Sequence, residues 1–341
     1  MNSSKKSITL LFSCLGLFLL SLLIFIYIHF IPSLSRSEFV LHIPENSNVS
    51  TIATILKKQH LIRSEFFFKL YIKLTKKEKK LRAGHFLISN GINQHQLIYT
   101  LSTKSGHYKL IKVTIPEGFS IAQIGERLES KQLVIKEEFE AFCHKKAKKY
   151  FKNKFTFLSQ IPLETIEGYL FPETYFFKSK ESTHTIVKTM INEFNKQVYF
   201  PFSIETNDSQ LTFHQLLTLA SLIEKESKFT YEMPVISSVF HNRLTKKMRL
   251  ASDPTVVYAL GKSHKDRVYY KDLEIQSPYN TYRKRGLPPT PIASPGIKAF
   301  HAARFPDKTD YLFFVASQDG HHHFSRTYSE HLNIQSKNKS K

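Results

Sequence analysis

The sequence predicts an α+β protein that carries a single membrane-spanning helix at its N-terminus. Three observations lead to this prediction. An uncharged apolar run comes first, a segment with strand and helix patterns then occurs twice, and an amphipathic helix further along ends in two carboxylates. With 341 residues and no long low-complexity tract, the chain has room for two or three compact units.

The apolar run covers residues 8–31 and contains no Asp, Glu, Lys or Arg. It is long enough to span a bilayer and longer than the apolar part of a cleaved signal peptide. Lys5 and Lys6 lie on the short segment before it, so the positive-inside rule predicts that residues 1–7 form a cytoplasmic tail. We therefore expect a single-pass protein of the inner (plasma) membrane whose remaining residues lie on the periplasmic, extracytoplasmic side.

The formal net charge is +21, and the Lys residues are spread along the chain. Such an excess is typical of proteins with acidic partners, such as anionic polymers or lipid head groups, but it also fits a merely Lys-rich composition. No zinc-finger spacing or aromatic RNA-binding pattern occurs, so nucleic acid is not a predicted partner. No glycine-rich phosphate loop is present either, and we expect no cofactor.

One segment recurs at an offset of 72 residues. Each copy has the pattern of a short strand, a turn with proline, a helix and a second helix, which predicts a β-α-α module used twice. A strand within 81–89 completes the first module over 39–108, and the second copy is expected over 109–160. Modules of this size bury little core and usually serve for binding. The matched positions include Ile43 with Ile115, Glu45 with Glu117, Val49 with Ile121, Leu61 with Leu133, Glu65 with Glu137 and Phe67 with Phe139.

Two later blocks are rich in aromatic residues or proline. Residues 167–177 hold five aromatic side chains with Glu167 and Glu173 around Pro172, which fits either a platform for a sugar ring or a buried turn. Residues 286–296 are too proline-rich for regular structure but too apolar for a solvated linker, so we expect a buried or groove-lining loop. A strand over 311–316 is expected to pair with one that starts at Phe324.

The helix that ends in two carboxylates begins near Thr212, a predicted N-cap. Side chains of a helix lean over the preceding turn, so Glu226 extends the column of Leu219, Leu222 and Ile223. Burial against aliphatic carbon raises the pKa of a carboxyl group, which suits a general acid. The residues on the preceding turns beneath Glu224 are smaller and more polar, namely Leu217, Ala220 and Ser221. Glu224 lies about 160° from Glu226 around the helix axis. The alternative is that this last turn is simply solvated.

Other chemistries find little support. Three consecutive histidines, His321 to His323, cannot all point at one ion, and no carboxylate-rich partner motif exists, so no metal site is expected. The sequence has no Gly-x-Ser-x-Gly elbow for covalent acyl chemistry. Its two cysteines cannot form a disulfide framework.

Several blocks together resemble the endolytic murein transglycosylase (YceG-like) family. They are LASLIEKES, VFHNRLTKKMRLASDPTVVYALG, SPYNTYRKRGLPPTPIASPG and DYLFFVASQDGHHHF, preceded by VTIPEGFSIAQIGERL and EGYLFPETYFF. Their order and spacing match the family from the anchor to about His331.

The resemblance implies a membrane-anchored enzyme that cuts nascent glycan strands between MurNAc and GlcNAc without water, leaving 1,6-anhydro-MurNAc ends. It implies that residues 39–108 form a LysM-like peptidoglycan-binding module and that residues 109–335 form the catalytic domain, with an active-site core over 212–335. The implied catalytic residue is Glu226. Peptidoglycan synthases or division proteins are further implied partners.

One carboxyl group suffices for this reaction when the substrate supplies the nucleophile, because Glu226 can protonate the leaving oxygen and then accept the proton of the MurNAc 6-hydroxyl. Hydrolysis through Glu226 and Asp253 is an alternative that needs a second carboxylate. A non-catalytic peptidoglycan-binding scaffold is another alternative. Candidates for holding the sugar are Asn242, Arg243, Arg249, Asp253, Tyr279, Asn280, Tyr282 and Glu173. Asp253 also suits a helix cap, with Arg249 as its ion-pair partner.

Overall fold

The computed structural model describes residues 39–88, 91–103, 110–205, 209–261 and 269–339. The chain divides into two compact units, Met1–Leu110 and Ile111–Lys341. Both combine helices with small sheets, which confirms the mixed α+β class. The predicted tail and membrane helix, residues 1–31, lie outside the described residues. Among the helices that are described, none has the length and apolar character that a membrane span requires.

The first unit is a small two-stranded antiparallel sheet packed with helices. Strand β1 pairs with β2 from Phe39 opposite Ile88 to Ile43 opposite Gly84. Alternate residues of each strand point inward, as strand geometry requires, so that Leu41 and Phe86 enter the core. The elements are β1 (Phe39–Ile43), α1 (Val49–Lys58), α2 (Glu65–Leu74), β2 (Gly84–Ile88) and α3 (Gln94–Thr103).

The second unit opens with the second copy of this motif. Its elements are β3 (Leu110–Thr114), α4 (Ile121–Glu129), α5 (Lys136–Lys145) and β4 (Thr174–Lys178), with β3 paired to β4. The predicted boundary at 160 therefore differs from the structure, because the strand that closes this copy comes from the aromatic block. Residues 146–173 are inserted before it.

The duplication extends to the backbone dihedral angles. Asn46 and Gly118, 72 residues apart, both take positive φ values of 60° and 75° in the turn after the first strand. His60 and Gln132 repeat the same conformation at 55° and 56° after the first helix. These positions support the predicted offset through the first helix of each copy.

The offset falls to 71 at the second helix. Helix α2 begins at Glu65 and α5 at Lys136, and the buried residue of the first turn is Phe68 in one and Phe139 in the other. The predicted match of Phe67 with Phe139 is therefore wrong, because three residues separate Gln132 from α5 in the second copy, whereas four separate His60 from α2 in the first. Phe67 is exposed instead.

The rest of the second unit surrounds one helix, α9. Ten of its fourteen residues are buried, including every position from Phe213 to Ile223 except Gln215. The sequence pattern predicts an amphipathic helix, whereas the structure buries its polar face too. The elements are α6 (Ala147–Phe151), α7 (Thr183–Phe194), α8 (Phe200–Ile204), α9 (Phe213–Glu226), α10 (Met233–Thr245), α11 (Asp253–Ala259), α12 (Ile297–Arg304), β5 (Phe313–Ala316), β6 (His322–Ser325) and α13 (Tyr328–Lys339).

The aromatic block is a buried turn rather than an open platform. Tyr169, Phe171, Tyr175 and Phe177 are all buried in the core of the second unit. The block packs against the proline-rich loop, whose residues from Pro291 to Gly296 are buried as predicted. The closest approach is at Gly168, which has a φ of +86°.

This approach makes Gly168 a sensitive position. A Cβ there would lie 2.6 Å from Cγ of Pro291 and 3.2 Å from the carbonyl oxygen of Ala293. At Gly286, with a φ of +82°, a Cβ would have no heavy atom within 4 Å. We expect Gly286→Ala to cost only the left-handed backbone strain of about 1 kcal/mol, whereas Gly168→Ala adds overpacking and costs about 2–4 kcal/mol. Thermal unfolding followed by circular dichroism measures both, and equal losses would contradict the predicted contact.

Candidate active site

Glu226 is the last residue of α9. The helix begins with a capping box at the predicted N-cap, in which the Thr212 hydroxyl accepts from the Gln215 amide and the Gln215 side chain accepts from the Thr212 amide. It ends where Ser227 turns to an extended conformation. The Glu226 side chain is thereby half-buried at the edge of the core.

Ser252 is the residue that contacts the Glu226 carboxyl group. Its hydroxyl donates to Oε1 of Glu226 at 2.5 Å, and Ser252 itself is almost fully buried. It lies in the loop between α10 and α11, so the contact joins two elements that are 26 residues apart. This partner orients the carboxyl group.

A buried set of threonines positions Ser252. The Ser252 amide donates to the Thr281 hydroxyl at 2.9 Å, and the Thr255 hydroxyl donates to the Ser252 carbonyl at 2.7 Å. The Ala251 amide donates to the Thr281 carbonyl at 3.2 Å. Ala251 has a φ of +48°, a strained conformation that persists only where the surroundings enforce it. The loop is thus constrained on both sides of Ser252.

The environment shifts the proton affinity of Glu226 in the predicted direction. Burial raises the pKa of Glu226 to about 7. The negative charge of Asp253 acts in the same direction, while the hydrogen bond from Ser252 and the positive charge of Arg243 oppose it. A carboxyl group with this pKa holds a proton in a large fraction of molecules at neutral pH, and it can also release and regain it.

Arg243 lies on α10 and fixes the surrounding backbone. Its Nε donates to the Leu312 carbonyl at 2.6 Å and Nη1 donates to the Leu250 carbonyl at 2.5 Å. The guanidinium carbon lies 5.3 Å from the ring centre of Phe313. Arg243 therefore joins the loop before Ser252 to the start of β5 and adds a positive charge near Glu226.

Asp253 and Tyr282 form a pair beside this group. The Tyr282 hydroxyl donates to Oδ1 of Asp253 at 2.5 Å. Asp253 is exposed and is the first residue of α11, directly after the N-cap residue Ser252. Burial and the contact with Asp253 raise the pKa of Tyr282, so it remains a hydrogen-bond donor. Four of the predicted residues, Glu226, Arg243, Asp253 and Tyr282, are thus brought together.

Two further predicted residues, Asn280 and Asn242, bond main-chain carbonyl groups. Asn280 is fully buried and its amide donates to the carbonyls of Leu273 and Ile275, both at 2.9 Å, so the structure does not support sugar contact by this residue. The Asn242 amide likewise donates to the carbonyls of Thr309 and Tyr311. Both asparagines satisfy main-chain groups in segments that have no regular partner strand.

Tyr279 and Glu173 make other contacts, and Arg249 is exposed. The Tyr279 hydroxyl bonds the Thr290 hydroxyl at 2.7 Å and so holds the proline-rich loop. Glu173 is exposed at the start of β4, where its carboxylate accepts from the Thr174 amide. Arg249 is exposed, and within the described part of the chain its predicted ion pair with Asp253 does not form.

Glu224 is separated from Glu226 by what it contacts. Burial raises the pKa of Glu224 too, so the predicted contrast in burial is smaller than expected. Its carboxylate accepts from the Gly296 amide at 3.0 Å, and the neighbouring Lys225 donates to the Gly118 carbonyl at 3.2 Å. Glu224 therefore connects α9 to the end of the proline-rich loop, and Lys225 connects it to the turn of the second repeat.

Sequence reasoning missed Ser252, Thr281 and Glu167. Glu167 is buried, accepts from the Ile121 amide at 2.9 Å and from the Tyr258 hydroxyl at 3.1 Å, and burial raises its pKa to about 7. It holds the start of α4 against α11. The presence of a carboxylate among buried aromatic residues is the only signal in the sequence that points to this role.

The histidine run contacts an acidic residue. Nδ1 of His322 lies 2.7 Å from Oε2 of Glu232, and Nδ1 of His321 lies 3.2 Å from Oε1. The His321 ring stacks on Phe229 at 4.2 Å. No group of three metal-ligating side chains occurs in the residues that the structure describes. The run therefore fastens the β5–β6 hairpin to the segment that follows Glu226.

Comparison with known proteins identifies the family. The model of the YceG-like family matches residues 41–337. The chain belongs to this family. A crystal structure of a YceG-like protein from Listeria monocytogenes shares the fold of this YceG-like chain with a TM-score of 0.61 and 34% identity, covering 88% of this chain and 100% of the other.

Two relatives of this YceG-like protein are named endolytic murein transglycosylase. The one from Bacillus subtilis (strain 168) is 41% identical over 307 residues, which cover 87% of this chain and 84% of the relative. The one from Streptococcus pneumoniae serotype 2 (strain D39 / NCTC 7466) is 32% identical over 320 residues. That alignment covers 87% of this chain but 58% of the relative, so the chain spans just over half of the pneumococcal protein.

The contact between Ser252 and Glu226 can be tested by carboxyl titration. A water-soluble carbodiimide labels protonated carboxyl groups, and peptide mass spectrometry reads the labelling of Glu226 at each pH. We expect labelling to fall with a midpoint near pH 7 in the wild type. Ser252→Ala removes a hydrogen bond that stabilises the charged form, so the pKa rises and the midpoint moves up by about one pH unit.

Ser252→Thr keeps the hydroxyl and serves as the matched control, with an expected midpoint close to that of the wild type. The wild type and both variants are labelled in parallel at each pH, so that loss of reagent affects all three equally. An unchanged midpoint in Ser252→Ala would show that this hydroxyl does not control the proton affinity of Glu226.

Proposed function

We propose that this protein is a membrane-anchored endolytic murein transglycosylase, a lyase that cleaves peptidoglycan glycan strands, with Glu226 as its general acid and base. The observation that carries the proposal is the Glu226 carboxyl group, half-buried, hydrogen-bonded to Ser252 and with a pKa near 7. The names of the relatives from Bacillus subtilis and Streptococcus pneumoniae support the same activity.

The proposed reaction transfers one proton in each of two steps. Protonated Glu226 first donates to the glycosidic oxygen between MurNAc and GlcNAc as the bond to the anomeric carbon breaks. The resulting carboxylate then accepts the proton of the MurNAc 6-hydroxyl, whose oxygen bonds to the anomeric carbon and closes the 1,6-anhydro ring. No water enters the products. A pKa near 7 serves both steps, since Glu226 is populated both as the acid and as the carboxylate at neutral pH.

The neighbouring residues have distinct proposed roles. Ser252 is a positioning residue that points the carboxyl group toward the leaving oxygen. Arg243 orients the loop through its two hydrogen bonds to carbonyl groups, and its positive charge stabilises the carboxylate that forms after the first step. The proposed role of the Asp253–Tyr282 pair is to contact the sugar and its developing positive charge, which the exposure of Asp253 supports.

Hydrolysis is a second candidate because Asp253 is a second carboxylate near Glu226. Its charge acts directly on the pKa of Glu226, and it is exposed to solvent. A hydrolase with this pair would give reducing-end products, whereas the proposed enzyme gives anhydro products. Mass spectrometry of muropeptides separates the two chemistries in one measurement.

The Glu226→Gln variant tests the catalytic role. We expect release of anhydro-muropeptides from sacculi to fall by about 100-fold to 10,000-fold, because the amide cannot transfer a proton. Binding to sacculi should be retained, which separates an enzyme from a peptidoglycan-binding scaffold. Glu224→Gln is the matched control on the same helix turn, since its carboxylate contacts Gly296 and should leave activity near the wild-type level. Wild-type release by Glu226→Gln would refute the assignment.

We further propose that residues 8–31 anchor the protein in the inner (plasma) membrane with the N-terminus in the cytoplasm. The support is the uncharged apolar run together with Lys5 and Lys6 before it. In this arrangement the first unit would bind peptidoglycan as a LysM-like module. Peptidoglycan synthases or division proteins are the expected protein partners.

The orientation has a direct test in cells. A reporter enzyme that is active only outside the cytoplasm, fused after Lys341, should give a signal. A reporter that works only in the cytoplasm should give none at the same position. The reverse pattern would exclude the proposed topology. The same fusion after Lys6 is the control and should give the opposite result.

A further inference from the structure

Helix α2 of the first unit has an exposed apolar stripe in addition to its buried face. Phe66, Leu70 and Leu74 are 67%, 40% and 73% exposed and lie four residues apart. At 100° per residue they fall within about 80° of the helix circumference. The opposite side carries Phe68 and Ile72, which are fully buried. Exposure of large apolar side chains to water is unfavourable, so the stripe indicates a contact surface.

Cationic side chains border the stripe and follow it. Lys69 and Lys73 are exposed, and helical geometry places Lys73 about 20° from Phe66. Three further exposed lysines come directly after the helix. From Arg63 to Arg82 the chain has eight Lys and Arg residues and only two Glu. The lysines that follow the helix are Lys76, Lys79 and Lys80.

This combination is typical of helices that lie in a membrane interface. Their apolar side chains enter the boundary between head groups and acyl chains, and their lysines reach the phosphates. The closeness of the first unit to residues 8–31 in the chain also favours a membrane contact. This part of the argument rests on the proposed membrane anchor. Only residues 32–38 separate the apolar run from β1, and seven residues span at most about 25 Å. The first unit is therefore tethered close to a bilayer.

We propose that this face of α2 docks onto an anionic lipid bilayer. Phe66, Leu70 and Leu74 enter the interface, while Lys69 and Lys73 pair with lipid phosphates. The contact is separate from the proposed anchor and from the Glu226 site. It fixes which side of the first unit faces the membrane and leaves its other surfaces free for the glycan.

The chain contains no tryptophan, which makes a single introduced tryptophan an unambiguous probe. The full chain with Phe66→Trp, or with Leu70→Trp, is reconstituted into vesicles of phosphatidylglycerol and phosphatidylcholine. With brominated acyl chains in the vesicles, we expect a blue-shifted emission that loses about half of its intensity, as for a side chain at interfacial depth.

Tyr99→Trp is the matched control. Tyr99 lies on α3 of the same unit and is 57% exposed, comparable to the stripe. Its tryptophan should keep a water-like emission and resist quenching. Co-flotation of every variant with vesicles is checked first, because it reports failure of the anchor separately from failure of the docking surface. Circular dichroism checks that each variant is folded.

A second arm tests the charge. Adding Lys69→Glu and Lys73→Glu to the Phe66→Trp chain should abolish the quenching, and salt at about 1 M should weaken it by screening. Water-like emission at position 66 in anionic vesicles would overturn the proposal in favour of a protein or glycan partner. Equal quenching at position 99 would also overturn it, since it would reflect only closeness to the anchor. Full quenching in neutral vesicles would overturn the role of the lysines.

Discussion

The burial of α9 on all sides is the constraint on which the site depends. A helix inside a core has no water to satisfy its polar side chains, and an unpaired buried group costs about 1–3 kcal/mol. His214 meets this requirement by bonding the Tyr169 hydroxyl and the Pro289 carbonyl, both at 2.8 Å. Ser221 accepts from the Ile292 amide at 3.0 Å. These bonds fix the aromatic block and the proline-rich loop onto the helix.

Because α9 is fixed along its length, its last residue has a defined position. The carboxyl group of Glu226 then needs only one further element to orient it, and that element is the constrained loop around Ser252. The strained backbone conformation of Ala251 persists because the hydrogen bonds of this loop to Thr281 enforce it. The acid is therefore held by the scaffold and not by a mobile segment of its own.

Local patterns were sufficient to predict much of this fold. The N-cap at Thr212, the repeated module, the β5–β6 hairpin and the raised pKa of Glu226 all follow from patterns in the sequence. The repeat is visible from matched positions 72 residues apart. Each of the others depends on residues a few positions apart, for which helix and strand geometry gives direct rules.

Contacts between distant residues were not predictable in this way. Ser252 and Thr281 are 29 residues apart, and nothing in either segment specifies the pairing. Asn280 has the composition of a sugar ligand, but its amide turns inward because two carbonyl groups there need a donor. The change of offset from 72 to 71 between the repeats could not be predicted from the apolar pattern either. Phe66, Phe67 and Phe68 are all apolar, and only packing determines that Phe68 is the one that is buried.

The place of Glu226 at the carboxyl end of α9 has an electrostatic consequence of its own. Aligned peptide dipoles give the end of a helix a partial negative charge, which disfavours an anion there by about 0.3–1 kcal/mol. Helix α9 has fourteen residues, and Glu226 is the last of them, so its carboxyl group lies at the negative end of the helix dipole. The direction in which the chain runs through the core thus itself favours the protonated acid, independently of any side chain around it.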